Sequence, residues 1–228
     1  MPDLAQNYRR LQNALSACAV QSGHEVRLLA VSKTQTPEQI RLCAELGQKA
    51  FGENYVQEAL EKITVLRQLA LEWHLIGPLQ SNKCPAAAAN FDWVQTVDRE
   101  KIIKALDQYR PETLPPLNVL IQVNIDAEPG KSGCTPADIK TLALHVAACR
   151  NLRLRGLMAI PDPATSANGM AFSRMQQLFA RLRENHPGAD TLSMGMSDDF
   201  PAAIAHGANL VRVGSALFGQ RPSKQITP

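Results

Sequence analysis

The sequence predicts an α/β fold, a single (β/α)₈ barrel of the TIM type that is preceded by an extra N-terminal helix. Short apolar segments alternate with amphipathic ones along the chain, and the apolar segments number eight. An open doubly wound sheet is the alternative, but no GxGxxG motif follows the first strand. The predicted strands are Val26–Val31, Lys49–Phe51, Glu72–Ile76, Trp93–Thr96, Leu117–Ile125, Leu154–Met158, Thr191–Met194 and Leu210–Val213.

Polar residues mark the helix starts. The first helix carries apolar residues at helical spacing from Leu4 to Cys18, and Asp3 stands at its cap position. Thr36 and Thr135 are each followed by a proline, an arrangement typical of a capped helix that begins with proline. These starts separate the predicted strands and support the alternating pattern.

The composition fits one domain that spans residues 1–228. With 45% hydrophobic and 20% charged residues, the chain can bury a full core. No apolar run approaches the length of a membrane span, and the N-terminus lacks a signal-peptide core, so we expect a cytoplasmic protein without a membrane partner. The five cysteines lack CxxC spacing, which argues against a metal site. A dispersed net charge of +3 argues against a nucleic-acid partner.

Lys33 is the candidate reactive residue. It follows the apolar segment Leu28–Val31 and precedes a helix start, which places it at the rim of a buried sheet. Partial desolvation there would lower the pKa of the ammonium group, and the neutral amine can form an imine with an aldehyde. For a lysine taken alone, a side chain that merely extends into solvent is the alternative.

Two segments near the C-terminus predict a phosphate site. Each is a strand that ends in a small or hydroxylic residue before a helix, where unsatisfied backbone N–H groups point outwards. We expect Ser197 to cap a helix over residues 198–205, and Gly214 with Ser215 to open the turn before Phe218. Two ordinary helix caps with nothing bound are the alternative.

Eight short motifs are spread along nearly the whole chain. They are AVSKTQ (residues 30–35), FGENYVQE (51–58), WHLIGPLQSNK (73–83), IQVNI (121–125), KSG (131–133), GLMAIP (156–161), LSMGMSDD (192–199) and VRVGSALFGQR (211–221). Together they resemble the motifs of the YggS/PROSC family of pyridoxal phosphate (PLP) homeostasis proteins, which is itself related to the N-terminal barrel of alanine racemase.

The resemblance implies that Lys33 carries PLP as a covalent aldimine, with the phosphate held after the last two strands. PLP also needs packing for its ring, for which Met158 is the candidate, and a group that orients its phenolic oxygen or the lysine, for which Asn54 is the candidate. Asn54 also fits a plain helix cap. His74 fits either a ring contact or a buried histidine with a backbone partner, and the second interpretation is favoured.

Arg212 decides which chemistry such a site supports. Strand alternation in LVRVG places Arg212 on the face opposite Val211 and Val213. In alanine racemase, which the family resembles, an arginine at the matching place faces the pyridine nitrogen. A guanidinium only donates hydrogen bonds and stays protonated, so it disfavours a proton on that nitrogen and weakens the ring as an electron sink.

The resemblance therefore implies a protein that holds PLP and maintains vitamin B6 and amino-acid homeostasis without catalytic turnover. Racemases take a second acid/base from the tyrosine of a separate β domain. We expect no such domain in a chain that ends at Pro228. Of the tyrosines in this chain, only Tyr55 lies near the predicted site. We expect a monomer that binds PLP and transiently meets apo-enzymes that need it. A residual amino-acid racemase and a Schiff-base aldolase acting on a sugar phosphate are the alternatives. For Lys131, an exposed loop position is the favoured interpretation, and a second transient aldehyde or phosphate contact is the alternative.

Overall fold

A computed structural model describes residues 3–219 of the chain. Gln220 and Arg221, which end the last motif, lie outside these residues. The predicted strands form one closed barrel in sequential order, and every neighbouring pair is parallel. The strands are β1 (Arg27–Val31), β2 (Ala50–Glu53), β3 (Glu72–Leu75), β4 (Trp93–Val97), β5 (Leu117–Gln122), β6 (Leu152–Met158), β7 (Thr191–Ser193) and β8 (Leu210–Val213).

The first and last strands close the barrel. Leu29 of β1 lies opposite Arg212 of β8, and Ala30 lies opposite both Val213 and Phe51 of β2. Because all strands are parallel, their carboxyl ends meet on one face, where the connecting loops collect. The predicted (β/α)₈ fold is therefore confirmed.

β5 ends three residues earlier than we predicted. Beyond Gln122 one more bond joins the chain to β6, from Val123 N–H to Met158 O at 2.9 Å, and the chain then pairs with its own loop: Cys134 N–H donates to Gln122 O at 2.9 Å, and Asn124 N–H donates to Cys134 O at 2.9 Å. Only an isolated bridge between Val123 and Cys134 continues the extended backbone. The loop that carries Lys131 is thereby folded back over the barrel end.

The helices surround the barrel, and the extra N-terminal helix is present. Asp3 caps it, since its carboxylate accepts from Gln6 N–H at 3.1 Å. Thr36 forms the predicted capping box with Gln39, and Thr135 opens a 3₁₀ turn before its helix. The helices are α1 (Leu4–Ser22), α2 (Pro37–Glu45), α3 (Val56–Leu66), α4 (Cys84–Asn90), α5 (Glu100–Tyr109), α6 (Ile139–Ala147), α7 (Pro163–Ala167), α8 (Met170–Asn185), α9 (Phe200–Ala205) and α10 (Ser215–Phe218).

Packing between the helices and the outer barrel face forms the main apolar core. Leu11 and Leu15 are buried where α1 packs against α9 and α10. β6 and β7 approach so closely at Gly156 that a Cβ there would lie 1.9 Å from Thr191 O, and Gly156 also has a φ of 141°. Only glycine fits this position, which sits in the GLMAIP motif.

Candidate functional site

A cavity of about 220 Å³ opens where the carboxyl ends of β1 and β8 meet the loop after β7. It collects five of the residues that we predicted for one site, Lys33, Ser197, Arg212, Gly214 and Ser215. Parallel strands explain this, because residues at strand carboxyl ends that are far apart in sequence share one face of the barrel. The other lining residues are Val31, Gln35, Met196, Asp198 and Gly219.

The turn after β1 fixes the backbone on both sides of half-buried Lys33. On one side, Ser32 O accepts from Lys62 Nζ at 2.8 Å. On the other, Thr34 N–H donates to the Glu58 carboxylate at 2.6 Å. Thr34 has a φ of 67°, a left-handed conformation that a β-branched residue rarely adopts. Neighbouring contacts thus hold the turn after Lys33 in a conformation that is unfavourable for Thr34.

A buried ion pair lies beneath this turn. Lys62 Nζ is 2.9 and 3.0 Å from the two carboxylate oxygens of Glu53 and 2.7 Å from Glu58 Oε1. Ser32 Oγ donates to Glu53 at 2.6 Å. Burial raises the pKa of Glu53; burial also acts on Glu58, but hydrogen bonds from Lys62 and from Thr34 N–H outweigh it and lower the pKa of Glu58.

Sequence reasoning missed this cluster. Only the spacing of Glu58 and Lys62 by four residues was visible as a signal, and such pairs are usually exposed. The third member, Glu53, lies at the end of β2, and its side chain becomes the partner of Lys62 only when α3 packs against the barrel.

Two serine hydroxyls meet on the opposite wall of the cavity. Ser215 Oγ lies 3.0 Å from Ser197 Oγ, which also accepts from Ala216 N–H at 3.3 Å. Gly214 lines the cavity beside Val31, whose carbonyl oxygen would lie 3.3 Å from an added Cβ. A larger residue would therefore crowd the junction between β8 and α10. Gly214 and Ser215 open the short helix before Phe218, as predicted.

The predicted helix cap at Ser197 is wrong. α9 begins at Phe200, and Asp199 occupies the cap position. The chain first makes a tight turn, in which Phe200 N–H donates to Met196 O at 2.9 Å and Asp199 accepts from Met196 N–H at 2.6 Å. This turn directs the hydroxyl of Ser197 to Ser215 rather than to the helix.

Arg212 points into the barrel, as the strand alternation predicts. Its Nη1 donates to Ser193 Oγ at 2.7 Å and its Nη2 donates to Ala159 O at 2.7 Å. The residue is only 4% exposed. Burial lowers the pKa of Arg212 to about 10, partly offset by the charge of Asp199, so the guanidinium remains protonated at neutral pH.

Asn54 is not among the residues that line the Lys33 cavity. It lines a second cavity of about 250 Å³ at the ends of β2, β3 and β5, together with Lys131 and Gln122. Lys131 forms an ion pair with Glu128 there. Gln122 Oε1 is buried and has no partner among the described residues. The helix after Asn54 has Tyr55 at its cap position, so Asn54 is not that cap either.

Met158 and His74 are both fully buried. Met158 packs with Trp93 and Leu120 and is not among the residues that line the Lys33 cavity. His74 is stacked on Trp93, with ring centroids 5.1 Å apart. The favoured interpretation of His74 as a buried core histidine is confirmed, although its partners are the side chains of Glu72 and Gln95 rather than backbone.

The lining of the Lys33 cavity fits the functional groups of PLP. Lys33 supplies an amine for an aldehyde, and the hydroxyls of Ser197 and Ser215 with the backbone at Gly214 supply small polar groups for a phosphate. Arg212 supplies a permanently charged donor for a ring nitrogen.

Across residues 3–219, no group of three or more His, Cys, Asp or Glu side chains is placed to hold a metal ion, and the described cysteines are free thiols. No helix in the same residues is long and apolar enough to cross a membrane.

Residues 2–222 match the family profile "Alanine racemase, N-terminal domain". With the closed barrel and the lysine after β1, this match defines the class of protein, a barrel of the alanine racemase N-terminal type. The Pyridoxal phosphate homeostasis protein of Escherichia coli is 48% identical over 229 residues, which are 97% of this chain and 98% of that protein. The one from Pseudomonas aeruginosa is 49% identical over 226 residues, 97% of each chain. The chain therefore belongs to the YggS/PROSC family.

Solved structures agree with this assignment. PipY of Synechococcus elongatus, determined with PLP bound, superposes with a TM-score of 0.82 at 35% identity, covering 95% of this chain and 100% of PipY. Alanine racemase of Corynebacterium glutamicum superposes with a TM-score of 0.69 at 18% identity, covering 98% of this chain but 62% of the racemase. The racemase comparison concerns the fold alone.

Proposed function

We propose that this chain, acting as a single domain, binds PLP as a Schiff base on Lys33 and maintains PLP and amino-acid homeostasis by carrying or buffering the cofactor. The observation that carries the proposal is one cavity lined by Lys33, Arg212 and the serine pair Ser197 and Ser215. Relatives named Pyridoxal phosphate homeostasis protein and the PLP-bound PipY structure support the choice of ligand.

Each residue has a distinct task in this proposal. The neutral amine of Lys33 attacks the aldehyde carbon, the carbon–nitrogen double bond forms, and one water leaves. Ser197, Ser215 and the backbone at Gly214 bind the phosphate. Arg212 donates to the ring nitrogen and keeps a proton off it. When bound, PLP supplies an electrophilic aldehyde and a conjugated ring, and Arg212 limits how strongly that ring can accept electrons.

The rest of the lining supports the proposal that the protein holds PLP without turnover. Racemisation needs a second acid/base across the ring from the lysine, and a positioned group of this kind typically contributes about 10² to 10⁴ in rate. The carboxylate of exposed Asp198 is the acidic group among the described lining residues. Tyr55, the tyrosine we considered near the site, is 65% exposed and lines neither cavity. The proposed role of the protein is therefore to store PLP.

Spectroscopy with turnover assays tests this function. The purified protein should absorb visible light that borohydride abolishes, and it should transfer PLP stoichiometrically to an apo-enzyme. Chiral analysis should detect no accumulating D-amino acid. Sustained turnover of an amino acid, lost in Lys33→Ala, would refute the storage function, and a colourless protein that rejects added PLP would refute cofactor binding.

We further propose that the protein works in the cytoplasm as a monomer and meets apo-enzymes only transiently. Light scattering of the PLP-loaded protein over a range of concentrations tests the first part of this proposal. A mass twice that of the 24.9 kDa chain would contradict it.

A further inference from the structure

Five polar side chains form a continuous hydrogen-bonded chain through the barrel interior, which we call the interior chain. Its links are Arg212 Nη1 to Ser193 Oγ at 2.7 Å, Ser193 Oγ to Gln95 Oε1 at 2.7 Å, Gln95 Nε2 to His74 Nδ1 at 2.8 Å, and His74 Nε2 to Glu72 Oε1 at 2.7 Å. The residues come from β3, β4, β7 and β8. Glu72 begins β3 and Arg212 lies near the end of β8, so the chain spans the barrel.

The chemistry of Arg212 and the amide orientation of Gln95 together set the direction of every link. A guanidinium cannot accept, so Ser193 Oγ accepts from Arg212; an amide oxygen can only accept, so Ser193 gives its own proton to Gln95 Oε1. The amide nitrogen of Gln95 then donates to His74 Nδ1. His74 must therefore carry its proton on Nε2, where it donates to the carboxylate of Glu72.

This order gives the interior chain a uniform polarity. A positive charge stands at the PLP end and a negative charge at the opposite face, with neutral groups between them. Apart from Glu72, the members are at most 4% exposed. Burial is the main reason that the pKa of His74 is lowered, against the raising effect of Glu72, and a neutral ring is the form that the links require. Aligned hydrogen bonds in a buried environment strengthen one another.

We infer that Ser193, Gln95, His74 and Glu72 are positioning residues, which hold the Arg212 guanidinium in the orientation that faces the cofactor ring. This inference rests on the proposed function, because only a bound PLP ring gives that orientation a chemical consequence. Arg212 touches the cofactor in this scheme, whereas the other four act through it. Residues at the far end of the barrel thereby influence the electronic state of the ring.

The first test needs no cofactor. In protein with ¹⁵N-labelled histidine, the His74 ring, assigned with His74→Gln, should show a protonated Nε2 and a bare Nδ1 at neutral pH. Ser193→Ala breaks the interior chain between Arg212 and Gln95 and should change the ¹⁵N chemical shift of His74 Nδ1. A His74 protonated on Nδ1, or charged, would overturn the inference even if PLP binds as proposed.

The second test uses the PLP-loaded protein. Ser193→Ala and Gln95→Met should each shift the absorption maximum of the bound cofactor, and Ser193→Ala should raise the dissociation constant of PLP about tenfold, the scale of one hydrogen bond to a charged group. Ser193→Thr keeps the hydroxyl and should restore the parent spectrum. Thr96→Val is the matched control, since Thr96 is equally buried on β4 but donates to Gly77 O, outside the interior chain.

Arg212→Lys separates the possible failures. If it shifts the spectrum while Ser193→Ala and Gln95→Met behave like Thr96→Val, the positioning role is refuted and the proposed function stands. If Arg212→Lys also leaves the spectrum unchanged, Arg212 does not face the ring, and that part of the proposed function fails. Thermal unfolding shows whether each variant is still folded. If Ser193→Ala loses its fold, the spectrum of Ser193→Thr still tests the inference.

Discussion

Replacing Lys62 with methionine should destabilise the fold and loosen the turn that carries Lys33. The substitution removes the ammonium but keeps an apolar side chain of similar length. Glu53, whose side chain is fully buried, then keeps only the hydroxyl of Ser32 among its named partners. Ser32 O loses a donor at the same time, immediately before Lys33.

The expected cost at pH 7 is about 3 to 5 kcal/mol in the free energy of unfolding, the usual effect of leaving one member of a buried ion pair without its partner. Burial already holds the pKa of Glu53 above its ordinary value, and loss of Lys62 raises it further. The folded state therefore binds a proton more readily than the unfolded chain, a stabilisation that is present at low pH and lost as pH rises through the raised pKa. The penalty should accordingly shrink on acidification.

Urea unfolding at pH 7 and pH 5 measures this penalty. Lys104→Met removes an exposed lysine that pairs with Glu100 and should cost under about 0.5 kcal/mol. The double variant Lys62→Met with Glu53→Gln removes both charges and should recover most of the stability. The reasoning is wrong if Lys62→Met loses less than about 1 kcal/mol at pH 7, or if the double variant is no more stable than the single one.

Three further outcomes are expected. Lys33→Ala should bind PLP without the visible absorption of a Schiff base on this lysine; an unchanged absorption spectrum would assign the bond to another residue. Loss of either hydroxyl, in Ser197→Ala or in Ser215→Ala, should weaken PLP binding by about 1.5 to 3 kcal/mol in equilibrium titration, the value of one hydrogen bond to a charged group, and retained affinity in the double variant would place the phosphate elsewhere. Gly156→Ala should unfold at a much lower temperature in calorimetry, because its Cβ meets Thr191 O at 1.9 Å; an unchanged melting temperature would contradict the close approach of β6 and β7.

Local patterns were sufficient to predict the barrel and to bring together four of the residues that line the Lys33 cavity. Strands and capped helices are local features, and the rule that parallel strand ends share a face placed Lys33, Arg212 and the two serines together before any contact was known. The end of β5 was missed, because Cys134 competes for its backbone through a loop that folds back. Such pairing depends on loop geometry that strand propensity does not encode.

Depth and angular position around the barrel are the part of the site that the strand pattern does not give. Asn54 and Met158 both lie near strand ends, yet Asn54 lines a neighbouring cavity and Met158 packs inside the barrel. The pairing of Lys62 with Glu53 depends on how α3 packs against β2, and a lysine on a helix ordinarily predicts an exposed side chain. Contacts of this kind follow from tertiary packing and leave no periodic signal in the sequence.

Borohydride reduction of the PLP-loaded protein, followed by peptide mapping, tests most directly whether Lys33 holds the cofactor. Reduction makes the carbon–nitrogen bond permanent, so the labelled lysine can be identified by mass. We expect one pyridoxyl group per chain, on the peptide that contains Lys33, with Lys131 unlabelled at equimolar PLP. A label found mainly on Lys131 or on any other lysine would contradict the assignment of the binding site.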